Sequence, residues 1–171
     1  AHLDSVGEGP GINDNGSGSA AILETALNMA KLKPENTLRF AWWGAEESGL
    51  LGSQAFAERP SLPLRDLAAV LNLDVMNLYG RTRDVAALGT DQSSLGRTFT
   101  TAAAAEGLRV TVDSGALIRG AFFRSDHFPF ARAGVPALSL EGGSDFTDRP
   151  PGWAEAQRKE YTDSRYHQPQ D

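Results

Sequence analysis

Two adjacent glutamates, Glu46 and Glu47, follow an apolar run at residues 38–44. Such a run predicts a buried strand, and a strand that delivers two carboxylates to its end carries a desolvation cost unless a cation lies there. Because neighbouring side chains point in different directions, one carboxylate can bind a metal ion while the other moves a proton. The pair therefore predicts a catalytic metal site.

Further side chains of metal-binding type are spread along the chain. They are His2 and Asp4 at its start, Asp14 in a turn-rich stretch, Asp74 after a second apolar run, and His167. Imidazole nitrogen and carboxylate oxygen suit zinc, and also manganese or cobalt. Three carboxylates (Asp14, Glu47, Asp74) and two imidazoles are too many for one open tetrahedral site. They fit two ions about 3.5–4 Å apart that share a bridging carboxylate.

Five short blocks resemble the signature blocks of the dizinc aminopeptidase family, metallopeptidase family 28. The blocks are residues 2–5 (HLDS), 13–18 (NDNGSG), 43–53 (WGAEESGLLGS), 72–74 (NLD) and 166–169 (YHQP). Five blocks in family order are a far more specific signal than any one alone. The family includes secreted bacterial leucyl aminopeptidases, with glutaminyl cyclases as relatives. The resemblance implies that residues 1–171 form a zinc peptidase catalytic domain, partial because family members have more sheet before the first histidine.

The resemblance also implies a ligand set for two zinc ions, for which manganese or cobalt could substitute. Asp14 would bridge the ions, His2 and Asp74 would complete one site, and Glu47 and His167 would complete the other. The family further suggests a cis peptide after the bridging aspartate, between Asp14 and Asn15.

Roles outside the ligand set follow from the same resemblance. Glu46 would be the general base, Asp4 would orient the His2 imidazole, and Tyr166 would help to stabilise the oxyanion. Substrates would be peptides or small proteins with a free N-terminus. The protein would be secreted or periplasmic, as family members often are.

The rest of the sequence predicts an α/β fold. Helices are predicted at residues 17–33, 48–59 and 93–106, and strands at 37–43, 67–73, 85–88, 108–112 and 136–140. The first helix would be capped by Asn15 or Ser17 and would bury an apolar face that includes Leu23 and Leu27. The alternation predicts a three-layer sandwich, with helices on both faces of a mostly parallel (mixed) sheet and an apparent truncation at the N-terminus.

The predicted ligands agree with this architecture. Glu46 and Glu47 follow one predicted strand and Asp74 follows another, and open α/β sheets place their sites outside the carboxyl ends of strands. This agreement is independent of the family resemblance. Residues 142–153 predict a loop that either borders the site or only connects elements.

Composition limits the alternatives. The chain has 171 residues, enough for one domain, a formal net charge of -6 and no cysteine. The acidic balance argues against a nucleic-acid surface, and no segment is apolar enough for a membrane span. The absence of cysteine excludes disulfides and thiolate metal sites.

The sequence supports two interpretations for each of two further residues. Arg124 and His127 lie in a stretch that resembles a family segment near the substrate pocket. Arg124 either contacts a substrate carbonyl or forms a salt bridge, and His127 either contacts substrate or is a hydrogen-bonded structural histidine.

Three other functions compete with an aminopeptidase. A glutaminyl cyclase or a carboxypeptidase on the same scaffold would share much of the motif set. A catalytically silent binding module is the third alternative, although the intact ligand set and Glu46 argue against it.

Overall fold

The computed structural model describes residues 1–171 and contains one mixed sheet of four strands. The strands are β1 (Val70–Leu73), β2 (Asp84–Leu88), β3 (Arg109–Thr111) and β4 (Ala137–Glu141). Their order in the sheet is β1-β4-β2-β3. The β1–β4 and β2–β3 pairs are parallel, whereas β2 and β4 are antiparallel. The α/β class and the mixed sheet are confirmed.

Six helices accompany the sheet. They are α1 (Gly16–Met29), α2 (Leu51–Glu58), α3 (Leu95–Ala105), α4 (Ser114–Ile118), α5 (Phe128–Arg132) and α6 (Trp153–Ser164), with 3-10 turns at Leu64–Asp66 and Ala121–Phe123. In β4 the consecutive residues Ala137, Leu138 and Ser139 are all buried. Because successive strand residues point to opposite faces, both faces of this central strand are covered. No helix is long and apolar enough to cross a membrane.

The best-buried part of the core lies between the sheet and helices α2 and α5. Leu138 of β4 has no exposed surface, and Phe130 of α5 is almost fully buried. The rings of Trp43, Phe56 and Phe130 form a cluster with centroids 5.4–5.9 Å apart. This cluster anchors the segment that leads into Glu46 against two helices.

The predicted buried strand at residues 37–43 is wrong for this structure. Its only ladder contact is a parallel bridge between His2 and Trp43, in which the Leu3 amide donates to the Trp43 carbonyl over 2.8 Å. Residues 37–39 are exposed. A strand requires a neighbouring chain along its length, and here only residues 1–3 run beside its last residue.

Helix α1 differs from its prediction, and helices α4, α5 and α6 were not predicted. Leu23 and Leu27 of α1 are 51% and 56% exposed, because the helix packs against β1 through its first turn, where Ser17 and Gly18 are buried. A Cβ on Gly18 would lie 2.3 Å from the Leu73 carbonyl oxygen, so only glycine allows this approach. Helix α6 was not predicted, because among its twelve residues only Ala154 and Tyr161 are buried and the apolar period is weak.

We expect the sheet core to dominate stability. Replacing Leu138 by alanine should lower the free energy of unfolding by about 2–5 kcal/mol, because it opens a cavity in a fully buried layer. The matched change Leu71→Ala, on an edge strand where the side chain is 55% exposed, should cost about 0.5 kcal/mol or less. Urea denaturation of both variants measures the difference. Equal losses would contradict this placement of the core.

Candidate metal centre

Two groups of side chains of metal-binding type lie next to each other. The first ligand group is His2, Glu46 and Asp74, and the second ligand group is Asp14, Glu47 and His167. Within each group the potential ligand atoms all lie within 4.8 Å of one another. All five side chains that the resemblance implied as metal ligands therefore converge, and Glu46 lies with them. We refer to the six residues as the metal centre.

Asp14 stands between the two groups. Its Oδ1 atom is 3.1 Å from His2 Nε2, and its Oδ2 atom is 3.4 Å from His167 Nε2. Each oxygen therefore faces one histidine from a different group. This is the position that a bridging carboxylate requires.

The spacing of the donor atoms fits zinc. His2 Nε2 lies 3.5 Å from Asp74 Oδ1, and His167 Nε2 lies 3.2 Å from Glu47 Oε1. Zinc bonds of 2.0–2.1 Å in a tetrahedron place ligand atoms about 3.3 Å apart.

Unpaired buried atoms point the same way. Glu47 Oε1, Asp74 Oδ1 and His167 Nε2 are buried and have no hydrogen-bond partner. Buried polar atoms normally have a hydrogen-bond partner. Three oxygen and nitrogen atoms without one, all of the kinds that bind metals, therefore fit a site for divalent cations.

The pKa shifts of two residues in the metal centre indicate an excess of negative charge there. Burial raises the pKa of Glu46 to about 8, and the charge of Asp74 adds to the effect. Burial alone would lower the pKa of His2, but its contacts with Asp14 and Asp74 outweigh burial and raise that pKa to about 11. Both shifts reflect crowded carboxylates with little solvent, and divalent ions would neutralise that crowding.

Asp4 holds the two glutamates by their main chain. Its Oδ1 accepts the Glu46 amide over 3.0 Å and its Oδ2 accepts the Glu47 amide over 3.1 Å. His2 Nδ1 lies 3.0 Å from the Asp4 backbone carbonyl but 3.6 Å from its carboxylate. The residue thus orients His2 mainly through its carbonyl, which leaves Nε2 free for a metal. Its carboxylate has the additional task of holding Glu46 and Glu47, which the sequence did not reveal.

Asp74 is fixed by a short chain of hydrogen bonds that sequence reasoning missed. Ser125 donates to Asp74 Oδ2 over 2.6 Å, and the Asn72 amide donates to Ser125 over 2.7 Å. This leaves Asp74 Oδ1 facing His2. The available signal was the position of Ser125 between Arg124 and His127, in the stretch that resembles a family segment near the substrate pocket.

Asn15 connects the bridging ligand to the end of β1. Its side-chain oxygen accepts the Gly18 amide over 2.9 Å and caps α1, and its amide donates to the Leu73 carbonyl over 3.1 Å. The peptide between Asp14 and Asn15 is cis, as expected from the resemblance. Through the contacts of the Asn15 side chain, Asp14 and Asp74 are held next to each other.

Three residues with left-handed backbone flank or form the metal centre. Ala45, Val75 and His167 have φ values of 57°, 53° and 60°. Non-glycine residues in this region cost of order 1–3 kcal/mol each and concentrate at functional sites. The strain turns the chain sharply at Glu46, Asp74 and His167, so that their side chains converge.

Tyr166 lies beside the second ligand group. Its ring stacks on His167 with centroids 3.8 Å apart, just after the end of α6. Burial, with the charges of Asp14 and Glu47, raises the pKa of Tyr166 above its ordinary value. The phenol therefore remains a hydrogen-bond donor at neutral pH.

Five of the six residues of the metal centre line a cleft of about 910 Å³, which we call the cleft from here on, and His2 is buried beside them. Arg124 lines it, and so do Gly142, Gly143, Phe146 and Trp153, so the predicted 142–153 loop borders the site.

His127 lies outside the cleft lining. It has no exposed surface, its ring packs edge-on against Phe122, and burial lowers its pKa to about 4. Neither ring nitrogen has a hydrogen-bond partner, so the structure shows neither the substrate contact nor the hydrogen-bonded structural role that the sequence suggested for His127.

Comparisons with known proteins agree with this geometry. Residues 1–171 match the family model described as peptidase family M28. Leupeptin-inactivating enzyme 1 of Streptomyces exfoliatus is 40% identical over 150 residues, which cover 86% of this chain and 32% of that protein. A Mycobacterium tuberculosis protein named "Probable lipoprotein aminopeptidase LpqL" is 54% identical over 78 residues, 44% of this chain and 16% of that protein.

Solved structures share the fold. BSAP, a zinc aminopeptidase from Bacillus subtilis, matches 99% of this chain and 38% of its own chain with a TM-score of 0.72 at 30% identity. The chain therefore spans about a third of the length of the relatives that it matches over most of its own length.

We expect Asp4 to control metal affinity. Asp4→Asn replaces one acceptor oxygen by a donor that faces a backbone N–H, so the Glu46–Glu47 segment should loosen. Zinc affinity should fall about 10–100-fold, the usual effect of losing a residue that supports metal ligands. Competition with a chromogenic chelator measures it, and Glu8→Gln, an exposed acid of the same loop, is the control. Unchanged affinity in Asp4→Asn would refute the role.

Proposed function

Because the chain belongs to peptidase family M28, we propose that it is a metallo-exopeptidase that removes N-terminal residues from peptides with two zinc ions. The observation that carries the proposal is the pair of ligand groups that Asp14 joins, with Glu46 beside them. The aminopeptidase names of its relatives support the same reaction.

The ligand set divides between two ions. Asp14 would bridge them, with His2 and Asp74 on one ion and Glu47 and His167 on the other. Bound there, the ions would lower the pKa of the attacking water and stabilise negative charge on the scissile carbonyl. Manganese or cobalt, which accept the same nitrogen and oxygen donors, are possible substitutes.

Glu46 would act as the general base. Its Oε2 atom lies 3.9 Å from His2 Nε2, farther than either aspartate oxygen that faces that nitrogen. Burial is the main reason that the pKa of Glu46 rises to about 8 in the absence of metal ions. Two bound dications would lower that pKa, so that Glu46 is ionised and can accept a proton. Glu46 would take a proton from water and return it to the leaving amine nitrogen.

Tyr166 and Arg124 would act on the carbonyl side. The Tyr166 phenol keeps its proton and lies against His167, so it can donate a hydrogen bond to the oxyanion. Arg124 lines the same cleft and would contact a carbonyl further along the substrate. Asp4 would keep Glu46 and Glu47 in place through their amides.

The alternatives receive less support. A cyclase with a single zinc would not need two ligand groups around a shared aspartate. A silent binding module would not need Glu46 beside an intact ligand set. We also propose a secreted or periplasmic protein, for which the lipoprotein relative is the supporting observation.

Glu46→Gln should separate metal binding from catalysis. The amide keeps the shape of the side chain but cannot accept the proton, so kcat on a leucyl-aminomethylcoumarin substrate should fall about 10²–10⁴-fold. Zinc content, measured by mass spectrometry, should stay at two per chain. Glu106→Gln, an exposed acid away from the cleft, is the control and should match the wild type. Near-native turnover by Glu46→Gln would refute the role.

The reaction should require a free α-amine and both ions. We expect cleavage of a short peptide such as Leu-Gly-Gly and no cleavage of its N-acetylated form. Stepwise removal of zinc with a chelator should abolish activity, and adding zinc, manganese or cobalt should restore it. Mass spectrometry of the products identifies the bond that is cut. Cyclisation of N-terminal glutamine with one zinc per chain, or equal cleavage of blocked peptides, would contradict the proposal.

A further inference from the structure

Glu141 is a cleft carboxylate that the proposed mechanism does not use. It is the last residue of β4, and β4 pairs in parallel with β1 so that Leu140 lies opposite Leu73. The next residues along the two chains are Glu141 and Asp74, and both line the cleft. Glu141 therefore lies one strand away from a metal-binding aspartate.

Every other carboxylate of the cleft has a partner or a role. Six acidic residues line it, and four of them, Asp14, Glu46, Glu47 and Asp74, belong to the metal centre. Asp113 forms an ion pair with Arg158 and accepts the Ala116 amide over 2.9 Å. Glu141 forms no hydrogen bond through its side chain, and no basic group lies within 4.0 Å of its carboxylate. It is the acid of the cleft that is left without a partner.

Part of the wall of the cleft that contains Glu141 is apolar. Met76, Phe146 and Trp153 line the cleft, and the rings of Phe146 and Trp153 meet edge to face with centroids 5.0 Å apart. Phe146 follows Glu141 by five residues. A long aliphatic chain can pack on such walls while its end reaches the carboxylate.

Two arginines share this part of the cleft without neutralising Glu141. Arg158 is engaged by Asp113, and Arg119 is exposed at the end of α4. Both are near enough to influence the Glu141 pKa, which burial raises to about 7. Neither comes within 4.0 Å, so a cation brought by a ligand has room to pair with the carboxylate.

Substrate binding would make this carboxylate selective. A ligand that fills the cleft displaces the water around Glu141, and an apolar side chain would leave the carboxylate desolvated and unpaired, which weakens its binding. An ammonium or guanidinium group would pair with it instead. The carboxylate thus favours cationic side chains and also disfavours neutral ones.

We propose that Glu141 is a specificity-determining residue that recognises the cationic end of an N-terminal lysine or arginine side chain. This inference rests on the proposed aminopeptidase function. It assigns the cleft wall of Met76, Phe146 and Trp153 to the aliphatic stem of the N-terminal residue. Glu46 and the ligand groups perform the chemistry, and Glu141 selects which residue is removed.

The test compares lysyl and norleucyl aminomethylcoumarin substrates, which differ chiefly in the terminal ammonium group. The wild-type chain should favour lysine in kcat/KM by about tenfold or more, the size expected for one charge-assisted contact. In Glu141→Gln that ratio should fall to about one because the KM values of the two substrates become similar, while kcat for the norleucyl substrate stays unchanged. Glu155→Gln, an exposed acid in the first turn of α6, should keep the wild-type ratio.

A binding measurement separates this inference from the proposed function. Calorimetric titration of the zinc-loaded chain with free lysine and free norleucine tests recognition without turnover. Tighter binding of lysine, lost in Glu141→Gln, supports the inference even if no substrate is cleaved. Equal affinity for the two amino acids, or cleavage of norleucyl substrate with no preference for lysine, overturns it while leaving the aminopeptidase proposal intact. The wild-type comparison needs no variant, so it tests the inference even if Glu141→Gln fails to fold.

Discussion

Four carboxylates that converge in a partly buried space are the constraint on which this structure depends. Asp14, Glu46, Glu47 and Asp74 repel one another, and the low polarity of their surroundings strengthens the repulsion. Left to themselves such groups would separate or take up protons, as the raised pKa of Glu46 indicates. Two divalent ions would turn the same arrangement into a stable one. The fold must therefore hold the acids together firmly enough for the ions to bind.

Side-chain hydrogen bonds, most of them to the main chain, provide that hold. Asp4 accepts two successive amides, Ser125 donates to Asp74, and Asn15 ties the bridging ligand to the end of β1. These contacts offset left-handed turns at Ala45 and Val75, each costing of order 1–3 kcal/mol. Glu46, Asp74 and His167 thus lie at left-handed turns, where the chain direction changes more sharply than in a straight strand or helix.

Much of this site was readable from the sequence because Glu47 and Asp74 follow apolar runs and all five ligands lie in blocks that resemble a known family. The convergence of His2, Asp14, Glu47, Asp74 and His167 required no knowledge of loop geometry. The predicted strand at 37–43 failed because strand pairing depends on a neighbour that local pattern does not reveal. Helix α6 was missed because most of its residues are exposed, so its sequence shows only a weak periodicity of apolar residues. The role of the Asp4 carboxylate was hidden because its partners are backbone amides, which nearly every residue carries.

Glu141 illustrates a different limit of sequence-based prediction. A polar residue at the end of a strand is common, and nothing in the amino-acid sequence indicates that Glu141 lacks a basic partner. Only the contacts of the cleft show that Asp113 has Arg158 while Glu141 has no such partner. The metal centre would derive its charge balance from ions, whereas Glu141, which lies near Asp74, would derive its balance from the substrate. A substitution at Glu141 would alter which side chain the cleft accepts without disturbing the groups that activate water.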